Sequence, residues 1–155
     1  NASISGETAK GGERRLPLIL QQHNPKLVVL ELGANDGLRG YPISGIRQQL
    51  ANMIEQSQQQ NSLVLLVGTK LPPNLGEQYS QAFFNMYQQL ADQYNAAYMP
   101  FLIESVVLDE QLMQLDQLHP NAKAQPIIAN DVYEYLKPLM QMVVPTKNTP
   151  TKELD

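Results

Sequence analysis

Apolar and polar positions fall into blocks whose spacing changes along the chain. Leu27-Val28-Val29-Leu30-Glu31-Leu32 and Leu63-Val64-Leu65-Leu66-Val67 are short, nearly continuous apolar runs, each closing on a glycine. Such runs predict strands covered on both faces, as in a parallel sheet. Between and after them the period lengthens. Ile43, Ile46, Leu50, Met53 and Ile54 trace a helical stripe over residues 43 to about 60, and Tyr79, Phe83, Met86, Leu90 and Tyr94 trace another. The aromatic and Met stripe reads as core rather than as a cofactor box. Ala97-Tyr98-Met99-Pro100 predicts a short last strand.

The remaining segments are less regular. Asn1 to Ser5 reads as the tail of a strand that ends at Gly6-Glu7-Thr8. A helix follows with Leu16, Leu18, Ile19 and Leu20; Gly11-Gly12 and Pro17 predict that its regular part starts late, with Pro17 tolerated near the first turn. Arg14 and Arg15 are expected on its solvated face, and His23 at its end beside the last carbonyls. Residues 69–76, with Pro72-Pro73-Asn74, read as a loop, and residues 101–113 as a mostly helical, irregular connection. Asn121 is a candidate N-cap for a terminal helix carrying Ile127, Ile128, Val132, Tyr135, Leu136 and Leu139. From Pro145 onward the composition predicts a disordered tail. No internal repeat occurs. Strands alternating with helices specify a three-layer α/β domain with a parallel sheet, over residues 1–144.

Composition narrows the functional classes. With 155 residues, 43% hydrophobic and 17% charged, the chain suits one globular domain. A net charge of −4 and a pI near 5.1 give no basis for a nucleic-acid partner. There is no Cys, which removes disulfides and thiolate metal sites and is compatible with an oxidising compartment. No apolar run approaches the roughly 20 residues of a membrane span. The chain begins at Asn1 without Met, which predicts a start that is missing or processed.

Chemistry is concentrated in two places. Gly33-Ala34-Asn35-Asp36-Gly37 follows a predicted strand, at the edge where open α/β sheets hold their ligands. Asn35 there is either an uncharged N–H donor to a reacting group or simply a turn residue, a position Asn and Asp both favour. Asp116 and His119 are three apart in a loop closed by Pro120. A carboxylate at that spacing can fix the imidazole tautomer and make His119 a general base; the alternatives are a surface pair at a helix entry or a two-ligand metal site, poor without a third ligand.

Taken in order, Asn1-Ala-Ser-Ile-Ser-Gly6, Glu31-Leu-Gly-Ala-Asn-Asp-Gly-Leu-Arg-Gly40 and Asp116 through Asn121 resemble the SGNH (GDSL-type) hydrolase family, from Asn1 to about Leu139. The resemblance implies a flavodoxin-like α/β/α fold and a serine esterase and thioesterase acting on acyl esters, acyl thioesters and lysophospholipids in the bacterial periplasm. It implies no metal or cofactor and a small-molecule substrate as partner. Gly6 and Asn35 would form the oxyanion hole, with His119 the base and Asp116 its partner. Asp36, Leu38 and Tyr41 would lie on a substrate-binding loop. The family's Gly-Asp-Ser-Leu nucleophile motif does not occur in this sequence. Ser3 and Ser5 belong to the next motif and are not candidates for its role. The first strand, internal in the family's sheet order 2-1-3-4-5, and the first helix would be missing, a segment of about 30 residues by βαβ dimensions. Unpaired buried backbone groups cost about 1–3 kcal/mol each, against a total stability of about 5–15 kcal/mol. Residues 1–155 alone are therefore expected to be unstable or inactive, as part of a longer enzyme. A non-catalytic binding module and a split enzyme completed by another polypeptide are the alternatives.

Overall fold

The computed structural model describes residues 1–143; the expected disordered tail lies outside the described residues. The elements are α1 (Ala9–His23), β1 (Leu27–Glu31), α2 (Ala34–Leu38), α3 (Ile43–Gln59), β2 (Leu63–Val67), α4 (Glu77–Tyr94), β3 (Ala97–Met99) and α5 (Gln125–Val143). Short 3-10 turns occur at Pro73–Leu75 and Ala122–Ala124. The three strands are parallel, in the order β1-β2-β3. Leu27 to Glu31 pair residue by residue with Leu63 to Val67, and Leu65 to Val67 pair with Ala97 to Met99.

Side-chain alternation along the strands decides the layers. Val28, Leu30, Val64 and Leu66 face a core shared with α1, α3 and α4, centred on the buried Ile46, Leu50, Ile54, Phe83, Tyr87 and Leu90. Leu65, Val67 and Met99 point to the other side, where Val132, Leu136 and Leu139 of α5 cover them. The three-layer α/β/α arrangement read from the sequence is the one observed. The helices over 43–60 and 79–94 and the strands at 63–67 and 97–99 also form where the hydrophobic period places them.

Several local expectations fail. Asn1 to Ser5 forms no strand; it is exposed, with Ile4 54% accessible, because no strand lies beside it to complete a ladder. Strand β1 is not covered on both faces. Val29 is 46% accessible and Glu31 is also exposed, since α5 packs chiefly over β2 and β3 and leaves the outer part of that face open. Helix α1 does not start late. Thr8 caps it by accepting the Gly11 N–H at 3.1 Å, so Gly11 and Gly12 are helical and Pro17 is interior. A Cβ at Gly12 would stand 2.3 Å from Leu32 Cδ1, so helix and strand end approach closely there. Arg15 is not free on the outer face; its Nε pairs with Glu7 Oε2 at 2.8 Å and its Nη1 donates to the Ala2 carbonyl.

Further along, the Asn-Asp turn is a one-turn helix, α2, and residues 101–113 are successive turns rather than mostly helix. Leu102, Ile103, Val106 and Val107 keep helical spacing, but apart from Val107 N–H to the Ile103 carbonyl the backbone bonds there close three-residue turns. Val106 is fully buried while Leu108 is 95% exposed. On α5, Ile128, Val132, Leu136 and Leu139 define the inward stripe, leaving Ile127 and Tyr135 on the exposed side. The C-cap of α1 is made by Asn24, whose backbone N–H donates to the Leu20 carbonyl. No helix among the described residues is long and apolar enough to cross a membrane.

Candidate active site

Parallel strands bring their carboxyl ends to one edge, and there the residues after β1 meet the segment that leads into α1. The chain leaves β1 through Gly33, whose φ of +104° favours glycine and whose added Cβ would lie 2.5 Å from Tyr87 Oη. That phenol is buried and donates to the Leu32 carbonyl at 2.9 Å, so α4 fixes the point where α2 begins. Burial and the nearby Glu31 and Asp36 carboxylates raise the Tyr87 pKa well above its ordinary value, and the phenol stays protonated as the donor.

Asn35 is the second residue of α2. Its Nδ2 donates to the Glu7 carbonyl at 3.1 Å, which uses one amide hydrogen and holds the side chain beside Gly6, a residue with φ of +73°. Thus Gly6 and Asn35, far apart in sequence, are neighbours in space. Asp36 is 2% exposed, and its Oδ2 accepts the Ala9 N–H at 2.8 Å. Its carboxylate is turned inward, away from the exposed rim that carries Leu38 and Tyr41. The rim itself is tied down where Tyr79 Oη donates to the Tyr41 carbonyl at 2.7 Å.

Asp116 and His119 occupy a loop fastened at its base by the Met113–Pro120 bridge and by Gln114 N–H donating to the His119 carbonyl at 2.8 Å. Asn121 has two tasks. Its Oδ1 accepts from Lys123 N–H and so caps the 3-10 turn Ala122–Ala124, with the expected terminal helix starting only at Gln125, and its Nδ2 donates to the Gln111 and Met113 carbonyls. Within the loop, Asp116 Oδ1 accepts from the backbone N–H groups of Leu118 and His119, both at 3.0 Å. Asp116 Oδ2 lies 2.7 Å from His119 Nδ1. A carboxylate on Nδ1 places the proton there and leaves Nε2 as the basic nitrogen, with no described residue bonded to it. Ala124 and Ile128, at the amino end of α5, pack near Val106, and Leu136 and Leu139 further along lie against the strands. The hydrogen bonds described for residues 114–120 stay within their own loop, and none joins Asp116 or His119 to Asn35 or Gly6.

The His119 side chain, then the His119 and Leu118 backbone donors, lower the Asp116 pKa from 3.8 to about 2. A group lowered in this way holds its contacts above the unfolded value and loses them as pH falls through the folded one. Carbon NMR of the Asp116 carboxyl is expected to show a midpoint near 2, and His119→Ala should move it up toward 3.8. A midpoint at 3.8 in the unsubstituted protein would mean that the pair is not formed.

Beside these residues, a cavity of about 660 Å³ separates the Asn1–Ile4 segment, α1 and the outer edge of β1. Ile4, Ile19, Leu27, Val29 and Asn35 line it. Glu31 also faces it; water reaches this carboxylate, yet the crowding of the surrounding protein raises its pKa above the usual value.

Comparison with known proteins places the chain in a family. The sequence model of the GDSL-like Lipase/Acylhydrolase family matches residues 1–126. The chain belongs to that family. Within it, the chain is 45% identical over 140 residues to the esterase TesA of Pseudomonas aeruginosa, covering 90% of this chain and 70% of that protein. It is 43% identical over 140 residues to the thioesterase 1/protease 1/lysophospholipase L1 of Escherichia coli, covering 90% and 67%. Among solved structures, the psychrotrophic esterase EstA from Pseudoalteromonas sp., inhibited by monoethylphosphonate, superposes with a TM-score of 0.87 at 42% identity. That likeness covers 91% of this chain and 77% of EstA. The GDSL-like relatives are hydrolases by name, esterases and a thioesterase.

Sequence reasoning missed the supports around the candidate residues: Glu7 with Arg15, Tyr87, and the inward bond of Asp36. Glu7 and Arg15 are eight apart, a spacing with no helical or turn signature, and the other contacts join residues 27 or 55 positions apart. Long-range partners leave no periodic trace.

Proposed function

We propose that this chain supplies the oxyanion donors and the acid–base pair of a serine esterase and thioesterase. The observation that carries this reading is the Asp116–His119 pair, closed at 2.7 Å with Nε2 unengaged; Asn35, held beside Gly6 at the end of β1, supports it. The nucleophilic serine is supplied by a strand lying along the free edge of β1, in the cavity now bounded by Asn1–Ile4 and α1. The free edge offers an unpaired backbone ladder, and the cavity has apolar walls for alternate side chains. The strand's carboxyl end would emerge beside Asn35.

In this reading the serine oxygen attacks the acyl carbonyl while His119 Nε2 takes its proton. The Gly6 N–H and the second hydrogen of Asn35 Nδ2 hold the oxyanion. Collapse of the tetrahedral intermediate breaks the bond to the alcohol or thiol, which leaves with the proton from His119, and water then cleaves the acyl-enzyme by the same steps in turn. Substrates are acyl esters, acyl thioesters and lysophospholipids, with Leu38 and Tyr41 beside the acyl chain. Residues 1–144 form the hydrolase domain, working in the periplasm.

A fluorophosphonate probe tests this assignment. With a strand ending in Gly-Asp-Ser-Leu joined ahead of Asn1, labelling is expected at that serine and is lost in the His119→Ala variant, while residues 1–155 stay unlabelled. Labelling of residues 1–155 that depends on His119 would place the nucleophile inside this chain and overturn the assignment.

A further inference from the structure

We propose that Asp36 is a positioning residue for the oxyanion hole, acting through its bond to the Ala9 N–H to set where Gly6 stands relative to Asn35. The inference rests on the reading above that Gly6 and Asn35 receive the oxyanion. Two consecutive residues of α2 grip the same short segment from one side. Asn35 Nδ2 donates to the Glu7 carbonyl at 3.1 Å, and Asp36 Oδ2 accepts from Ala9 N–H at 2.8 Å. The peptide donor of Gly6 lies immediately before the gripped stretch, so its distance from Asn35 is set by both bonds together.

Asp36 is an unusual choice for a purely structural link. It is 2% exposed and has no cationic partner among the described ion pairs. Burying a lone carboxylate is costly unless strong hydrogen bonds replace its water. Here the replacement is a charge-assisted bond at the first residue of α1, where the helix dipole also favours a negative charge. Helix α1 already has a local cap in Thr8, which satisfies Gly11 N–H at 3.1 Å. Thr8 leaves the Ala9 N–H for another acceptor, so the bond from Asp36 both satisfies that donor and ties the start of α1 to a residue 27 positions on. Glu7, braced by Arg15 at 2.8 Å, holds the same segment from its other side.

The test uses the serine-bearing polypeptide that turns over a short acyl ester. Asp36→Ala is expected to lower kcat about 10- to 100-fold, short of the full loss of one oxyanion donor, with KM within about twofold. Affinity for an acyl trifluoromethyl ketone, which forms an oxyanion, should fall in parallel, while affinity for the fatty-acid product stays unchanged. Asp36→Asn, whose amide oxygen can accept the same N–H, should recover most of kcat. Asp36→Ser, with a shorter acceptor, replaces the alanine variant should that one fail to fold. Unchanged kcat and ketone affinity in a variant with lowered thermal stability would reduce Asp36 to a structural link and overturn the proposal. An Asp36→Asn variant as slow as Asp36→Ala would overturn it as well. Absence of serine labelling in the unsubstituted polypeptide would instead count against the underlying hydrolase reading.

Discussion

Replacing His119 with alanine in the serine-bearing polypeptide is expected to lower ester hydrolysis on the order of 10⁴-fold or more, the scale seen when one member of a nucleophile–base unit is removed. The reason lies in the loop geometry. Asp116 Oδ2 on Nδ1 fixes the ring so that Nε2 is the imidazole nitrogen left to take the serine proton. His23 sits at the far end of α1. The loop does not depend on the imidazole for its shape. Its backbone bonds from Gln114 to the His119 carbonyl and from Asn121 to the Leu112 carbonyl remain in the variant. Thermal stability is therefore expected to change little while turnover collapses. The measurement is kcat/KM for a chromogenic short-chain ester, alongside a melting curve. A variant that retained more than about a hundredth of the activity would exclude His119 as the general base, since general acid–base catalysis alone contributes about 10²–10⁴-fold.

Asn35→Ala should have the next largest effect, a fall of about 10²–10³ in kcat with KM nearly unchanged, as for loss of one oxyanion donor. The ground-state carbonyl carries little charge, so binding is spared while the transition state loses a preoriented N–H. One hydrogen of Nδ2 is already committed to the Glu7 carbonyl, which keeps the other from rotating away. Asn35→Asp should be at least as damaging, because a carboxylate there repels both the Glu7 carbonyl and the oxyanion. Steady-state kinetics on both variants decides the matter. An equal rise in KM with kcat retained would show that Asn35 binds substrate rather than the transition state.

How much was legible in advance varies with the range of the interaction. The strands at 63–67 and 97–99, the long helices α3 and α4, and the Asn121 cap follow from periodicity and local hydrogen bonding, and all appear where the sequence puts them. Asp116 and His119 were also legible, because a carboxylate three residues from an imidazole in a loop closes its bond within the loop itself. The start of α1 departs from its local sequence preferences. Gly11, Gly12 and Pro17 argue against helix locally, but the Thr8 cap and the packing of Gly12 on Leu32 outweigh those preferences. The coverage of β1 departs from them for the same kind of reason. Val29 reads as core in a run of apolar residues, yet it is exposed where α5 leaves that face open.

The sequence by itself determined the α/β class, the alternation of strands and helices from β1 to α5, and the identity of the polar residues that follow β1. Those properties depend on contacts between near neighbours, which hydrophobic period, caps and turn chemistry record directly. Only the tertiary structure decided that Asn35 reaches Glu7, that Asp36 turns inward to Ala9, that Tyr87 holds Leu32, and that the outer edge of β1 borders a cavity of about 660 Å³. Each of these joins residues brought together by packing of whole elements, and the composition of either partner alone gives no signal of the other.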